Sequence, residues 1–174
     1  MKFIKHSIGY YLFRSCSVLS DEIKALYQEM ILDHGRSPRH FGVLEPAQCS
    51  VKGVNPVCGD TLELYLNIGP DGLIEAKFTG HGCAISMAAT SLLLEAIQGR
   101  STEEALALIE QYRCMVKGEV DETQASIGKL ITLSGVKAYP SRIKCATLGS
   151  HALKTVILSG HSTTVSTEDQ GSDI

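Results

Sequence analysis

The sequence of 174 residues contains no tryptophan, and only 6% of its residues are aromatic. A surface that stacks nucleobases or sugars needs aromatic faces, so this scarcity argues against such a platform. The chain also lacks an excess of positive charge, because 16 Lys and Arg oppose 19 Asp and Glu for a net charge of −3. A nucleic-acid-binding domain presents a basic face, so nucleic acid is not an expected partner.

Long apolar runs are missing as well. No segment approaches the ~20 residues that a helix needs to cross a bilayer, so we expect no membrane partner. The apolar stretch from Ile8 to Phe13 is too short for the core of a secretory signal, and Arg14 interrupts it before Cys16. We therefore predict a cytoplasmic protein with reduced cysteines, whose residues 1–19 form a mobile arm or an over-extended start.

The six cysteines include no Cys-x-x-Cys pair, and their density is low for a disulfide framework. The signatures His-Glu-x-x-His and His-x-Glu with Cys-x-x-Cys are also missing, which argues against a zinc hydrolase or deaminase. Cys16, Cys49 and Cys114 lie outside any recognisable motif. We interpret these three as structural or incidental thiols, since a reduced cysteine often acts as a small hydrophobe.

Alternating apolar residues predict a β-hairpin in the first half of the chain. They occur in residues 62–68 and again in residues 74–78, on either side of the turn sequence Gly69-Pro70-Asp71-Gly72. A short strand around residues 49–53 precedes them. Together these segments predict a small antiparallel sheet of three strands.

Helical periodicity accounts for most of the remaining chain. One helix has its N-cap at Ser20, another opens with the capping box Ser101–Glu104, and the last begins at Pro140. We predict a single α+β domain over residues 20–159, with about five helices packed on one side of the sheet. Residues 160–174 are rich in Ser, Thr and Asp, and we expect this tail to be disordered.

Two cysteines and an aspartate bracket the predicted hairpin. Cys58 and Asp60 come directly before its first strand, and Cys83 comes directly after its second. Because a hairpin returns the chain to its starting point, these three residues should meet at one end of the sheet. Cys145, in the first turns of the last predicted helix, is placed to close the group. Three thiolates and a carboxylate suit a four-ligand site for zinc or for iron–sulfur species.

The expected electrostatics favour reactive thiols. Cys83 and Cys145 lie near predicted helix N-termini, where the partial positive charge lowers the pKa of a thiol. Arg142 and Lys144 add positive charge beside Cys145. We therefore expect these cysteines to ionise more readily than free cysteine does.

Three motifs, in this order along the chain, carry a family resemblance: Asn55-Pro56-Val57-Cys58-Gly59-Asp60, Gly80-His81-Gly82-Cys83-Ala84-Ile85-Ser86 and Arg142-Ile143-Lys144-Cys145-Ala146-Thr147-Leu148. Together they resemble the NifU N-terminal/IscU family of iron–sulfur cluster assembly proteins, over about Leu19 to Ser159. The SufU type is the more similar. Lys144 occupies the position where IscU-type proteins have histidine, and the spacer between Cys83 and Cys145 is of the longer SufU kind.

The resemblance implies that Cys58, Asp60, Cys83 and Cys145 are metal ligands. In SufU-type proteins this set holds zinc, and the residue resembling Cys58 accepts persulfide sulfur from a SufS-type, PLP-dependent cysteine desulfurase. In IscU-type proteins the three cysteines instead hold a transient [2Fe–2S] cluster, which passes to cluster-accepting apoproteins. Either way, the resemblance implies a scaffold or sulfur acceptor rather than an enzyme, although it could be classed as a zinc-dependent sulfurtransferase.

A structural zinc module that mediates protein contacts without sulfur transfer is the alternative hypothesis. Closed structural zinc sites ordinarily use four Cys or His ligands. Asp60 departs from that pattern, since a carboxylate is a hard, more weakly bound ligand in a site of soft thiolates. The sequence therefore favours an exchangeable metal or cluster over a permanent one.

Overall fold

A computed structural model describes residues 21–121 and 126–168. The predicted arm over residues 1–19 and the last part of the tail, residues 169–174, lie outside the described residues. The elements follow in the order α1 (Asp21–Arg36), β1 (Cys49–Asn55), β2 (Asp60–Ile68), β3 (Ile74–His81), α2 (Ala84–Ile97), α3 (Thr102–Lys117), a 3₁₀ helix (Gly128–Ala138), α4 (Pro140–Ser159) and β4 (Thr163–Ser166). Among the described helices, none is long and apolar enough to span a membrane.

The predicted hairpin is confirmed as β2 and β3, which pair antiparallel, and β1 pairs antiparallel with β2. Leu62, Leu64 and Leu66 on β2 are at most 1% exposed, so one face of the sheet is buried, as the alternating pattern predicts. Helix α4 covers this face at β1. There, a Cβ placed on Gly53 would lie 3.2 Å from Leu148 and 3.6 Å from Ala152.

The sheet has four strands in the order β3-β2-β1-β4 and is mixed, so the prediction of a three-stranded antiparallel sheet is wrong in this detail. Strand β4 pairs parallel with β1, and Val165 on β4 is only 8% exposed. The predicted disorder of residues 160–174 is therefore wrong for Thr163–Ser166. Three β-branched residues and the backbone groups of the β1 edge stabilise a strand there, although its side chains are mostly polar.

Two predicted helix starts are confirmed, and the N-cap predicted at Ser20 lies outside the described residues. Ser101 and Glu104 form the capping box of α3, and Pro140 stands in the first turn of α4. Between α3 and α4, the segment Gly128–Ala138 forms a 3₁₀ helix. These helices and the buried face of the sheet enclose one hydrophobic core.

Helix α1 is less buried than its apolar period predicts. Leu26 is 61% exposed, while Met30 and Ile31 are partly buried against the core. The one buried residue of α1 is His34, whose Nδ1 lies 2.8 Å from Ser91 Oγ on α2. Burial and, second, the charge of Arg39 lower the pKa of His34, which favours the neutral ring.

Helices α2 and α4 approach each other closely at Gly149. A Cβ placed on Gly149 would lie 2.6 Å from Thr90 Oγ1 and 3.2 Å from Thr90 Cβ. The Thr90 hydroxyl donates to the Ser86 carbonyl oxygen at 2.9 Å, which fixes its rotamer. Only glycine therefore fits here, and the contact sets the separation of the two helices.

We expect Gly149→Ala to lower the free energy of unfolding by about 1–2 kcal/mol, because overpacking outweighs the ~1 kcal/mol gained in helix propensity. Adding Thr90→Ala should recover part of this loss, because it removes the 2.6 Å contact with Thr90 Oγ1. Denaturant unfolding of both variants measures the effect. Gly135→Ala is the control, since no atom lies within 4 Å of the added Cβ. A Gly149→Ala protein as stable as the parent would contradict the close contact.

Candidate metal centre

Cys58, Asp60 and Cys145 converge at one end of the sheet. Their ligand atoms all lie within 4.8 Å of one another. Cys58 lies in the turn between β1 and β2, Asp60 begins β2, and Cys145 lies near the start of α4. The Cys145 thiol donates to Cys58 Sγ at 3.1 Å. The structure thus brings together three of the four predicted ligands.

Asp60 is fully buried, and both of its carboxylate oxygens accept hydrogen bonds. Oδ1 accepts from the Cys83 backbone N–H at 2.8 Å, and Oδ2 accepts from Asn55 Nδ2 at 3.0 Å. The chain passes very close to this carboxylate at Gly82, where a Cβ would lie 2.7 Å from Oδ1. The glycine before Cys83 therefore lets the start of α2 reach Asp60.

Cys83 borders the centre, but the group of mutually close ligand atoms does not include its thiol. Cys83 is the N-cap of α2, and its Sγ accepts a hydrogen bond from the Ser86 N–H at 3.4 Å. Its backbone reaches Asp60, as the hairpin argument predicts. Metal ligation by Cys83 stays a prediction.

The Cys145 thiol is buried, and its pKa is raised rather than lowered. Burial is the largest cause, followed by hydrogen bonds with Cys58 and Asp60 and by the charges of Cys83 and Asp60. The prediction that the helix N-terminus lowers this pKa is therefore wrong, because burial outweighs it. Lys144 does not compensate at close range, since its Nζ pairs with Glu168 at 2.9 Å.

The donor set fits a thiophilic metal. In the described part of the chain, no cationic side chain forms an ion pair with the buried carboxylate of Asp60. A buried anion beside two thiols is costly unless a cation balances it. Zinc accepts thiolate and carboxylate ligands in tetrahedral sites, and iron–sulfur species bind the same thiolates. The three converging groups suit either, with Cys83 as the nearest candidate for a fourth ligand.

Cys49 and Cys114 lie away from this group. Cys49 is buried on β1, and burial raises the pKa of its thiol. Burial, followed by a hydrogen bond with Glu119, likewise raises the pKa of Cys114. These surroundings agree with the interpretation of both as unreactive thiols. Cys16 lies outside the described residues.

Asn55 is a site residue that sequence reasoning named only as part of a motif. Its side chain is fully buried, and Nδ2 donates both to Asp60 Oδ2 and, at 3.4 Å, to Cys145 Sγ. The available signal was its place at the end of a strand, five residues before Asp60. An amide there can serve two neighbouring acceptors because it carries two N–H groups.

The order of elements, the converging ligands and the three motifs invite comparison with known proteins. Residues 26–146 match the family described as NifU-like N terminal domain. The chain belongs to this family.

Two named relatives align with most of the chain. It is 38% identical over 136 residues to the iron-sulfur cluster assembly scaffold protein IscU of Streptococcus pyogenes serotype M1, covering 78% of this chain and 85% of that protein. It is 39% identical over 132 residues to the zinc-dependent sulfurtransferase SufU of Bacillus subtilis, covering 76% of this chain and 89% of that protein.

Solved structures agree with this family assignment. The crystal structure of a SufU from Fervidobacterium islandicum AW-1, assigned as a cluster assembly scaffold protein for the SUF system, superposes with a TM-score of 0.70 at 36% identity. The match covers 76% of this chain and 97% of that one. The predicted NifU-like, α+β fold is thereby confirmed, apart from the fourth strand.

We expect Asp60→Asn to release bound zinc at least about tenfold faster, equivalent to ~1.4 kcal/mol or more. The amide removes the negative charge, and its NH₂ group faces one of the two donors that Asp60 now satisfies. Transfer of zinc to a chromogenic chelator measures the rate. Asp71→Asn, in the hairpin turn, is the control. Unchanged release from Asp60→Asn would show that this carboxylate does not bind the metal.

Proposed function

We propose that this protein acts in iron–sulfur cluster assembly as a sulfur acceptor, with Cys58 receiving persulfide sulfur from a SufS-type, PLP-dependent cysteine desulfurase. The observation that carries the proposal is a difference in access. Asp60 and Cys145 have no exposed surface, whereas Cys58 is partly exposed beside Val57, which is 65% exposed. Among the three converging ligands, a partner can therefore reach Cys58 without unfolding the other two. Cys83 is also partly exposed, but its thiol lies outside that group. The names of the SufU and IscU relatives support the same class of function.

The proposed transfer is an exchange between two sulfur atoms. The Cys58 thiolate attacks the outer sulfur of a persulfide on the desulfurase. A new S–S bond forms on Cys58, the S–S bond on the donor cysteine breaks, and that cysteine leaves as a thiolate. One persulfide replaces another, so the step needs no oxidant or reductant, but Cys58 must first lose its proton.

Two neighbours bear on the reactivity of Cys58. Arg142 is exposed, and its Nη1 donates to Cys58 Sγ at 3.9 Å. The same guanidinium provides positive charge beside a persulfide arriving as an anion. Cys145, on the buried side, donates its S–H to Cys58. These contacts hold the sulfur of Cys58 between the interior and the surface.

In this proposal Cys58, Asp60, Cys83 and Cys145 hold zinc, which would supply the positive charge that keeps the thiols deprotonated. The chain then works as an acceptor or scaffold with partner proteins, rather than as a free-standing enzyme. In the scaffold variant, the three cysteines carry a [2Fe–2S] cluster as cargo for apoproteins. The oxygen ligand from Asp60 would keep that cargo exchangeable. We place this activity in the cytoplasm, where thiols stay reduced.

We expect Cys58→Ala to abolish sulfur transfer while leaving the fold intact, because the side chain is partly exposed and lies in a turn. Incubation with a SufS-type desulfurase and cysteine, followed by mass spectrometry of the acceptor, measures the added sulfur. Cys114→Ala is the matched control and should still accept sulfur. Transfer to Cys58→Ala at the parental rate would contradict the assignment. Tight zinc binding by the parent without any stimulation of the desulfurase would favour the structural zinc module.

A further inference from the structure

Thr167, the residue after β4, is hydrogen-bonded to the metal centre through the side-chain amide of Asn55. The Thr167 N–H donates to the Val54 carbonyl oxygen at 3.0 Å, and Thr167 Oγ1 donates to Asn55 Oδ1 at 3.2 Å. Asn55 in turn donates to Asp60 and Cys145. The residues Thr167, Asn55, Asp60 and Cys145 are each at most 1% exposed. A continuous buried path thus links the C-terminal strand to two candidate ligands.

The direction of these hydrogen bonds fixes the roles of both groups. Asp60 Oδ2 and Cys145 Sγ are acceptors, so the NH₂ end of Asn55 must face them. The amide oxygen then faces Thr167 and can only accept, so the threonine hydroxyl is the donor. Without that hydroxyl, the orientation that serves the ligands would leave a buried oxygen without its partner. Turning the amide over would place its oxygen against the Asp60 carboxylate and the Cys145 thiol, and both would lose the N–H donor that they now have.

Three contacts hold Thr167 in place. Strand β4 pairs along β1 up to the register Ser166–Val54, which delivers the next residue to Asn55. Val165 is buried in the hydrophobic core, and Glu168 pairs with Lys144 on α4. The hydroxyl is therefore held from both sides along the chain. This local order accounts for a strand in a segment of otherwise polar composition.

We propose that Thr167 is a positioning residue of the metal centre, which acts through Asn55 to hold Asp60 and Cys145 in the orientation that binds metal. The inference deepens the proposed function and rests on its metal site. Hydrogen-bond partners of metal ligands typically change metal affinity by about 10–100-fold when they are removed. Strand β4 and the residue that follows it would then belong to the site, although they contribute no ligand.

The test compares zinc release from Thr167→Val, which is isosteric but has no hydroxyl, with release from Thr167→Ser, which keeps it. Transfer of Zn²⁺ to a chromogenic chelator should be about 10–100-fold faster for Thr167→Val and near the parental rate for Thr167→Ser. Thr164→Val, the same change at an exposed site on β4, is the control and should have no effect. In the Co²⁺-substituted protein, the ligand-field absorption should shift for Thr167→Val but not for Thr167→Ser.

Each result supports or overturns the inference. Zinc release from Thr167→Val at the parental rate overturns the inference and leaves the proposed function standing. Zinc release from Thr164→Val as fast as from Thr167→Val has the same meaning. A parental protein that binds no zinc overturns the inference together with the zinc site of the proposed function, whereas sulfur acceptance by Cys58 is decided by the Cys58→Ala experiment. If circular dichroism shows that Thr167→Val does not fold, Thr167→Ser is compared with Thr167→Ala, which differs from it by the hydroxyl alone. Faster release from Thr167→Ala supports the inference, and equal release overturns it.

Discussion

The buried carboxylate of Asp60 is the constraint around which this end of the molecule is organised. Removing a charged group from water is costly unless its hydrogen-bonding capacity is met. Here the donors come from Asn55 at the end of β1 and from the Cys83 backbone at the start of α2. One side chain therefore ties the hairpin to the first turn of a helix, and the position of each depends on the other.

Helix packing brings the remaining parts of the centre to Asp60. The separation of α2 and α4 is set where Gly149 meets Thr90, and α4 also lies on β1 through the contact of Leu148 with Gly53. These contacts carry Cys145 into the interior while Cys58 stays in a surface turn. Rigid elements thus supply the buried Asp60 and Cys145, and a turn supplies the partly exposed Cys58.

Sequence patterns predicted the parts of the site that local geometry controls. The hairpin argument placed Cys58 and Asp60 near the end of β3, since strand alternation and turn residues are short-range signals. The approach of Cys145 depends on how α4 packs, and the periodicity of α4 cannot specify that. Its thiol pKa likewise depends on burial, which here outweighs the helix N-terminus. Leu26 is exposed on α1. Helical periodicity identifies the residues that share one face of a helix, but it does not show whether another element covers that face.

The fourth strand was missed for a related reason. Thr163–Ser166 has β-branched residues but few apolar ones, so its composition alone resembles that of a disordered tail. Its stability comes from the free edge of β1, from the burial of Val165 and from the pair between Lys144 and Glu168. All of these partners are distant in the sequence, and no local pattern reveals them.

The wide separation of Asn55 and Thr167 along the sequence also has a consequence for biosynthesis. Cys145 follows Cys58 by 87 positions, and Thr167 follows Asn55 by 112. At about 5–20 residues per second, a ribosome needs on the order of ten seconds to make the stretch between Asn55 and Thr167. Asn55 and Cys83, the hydrogen-bond donors to Asp60, are made early in that interval, whereas Cys145 and Thr167 are added only later. The centre is assembled only as translation reaches the last strand.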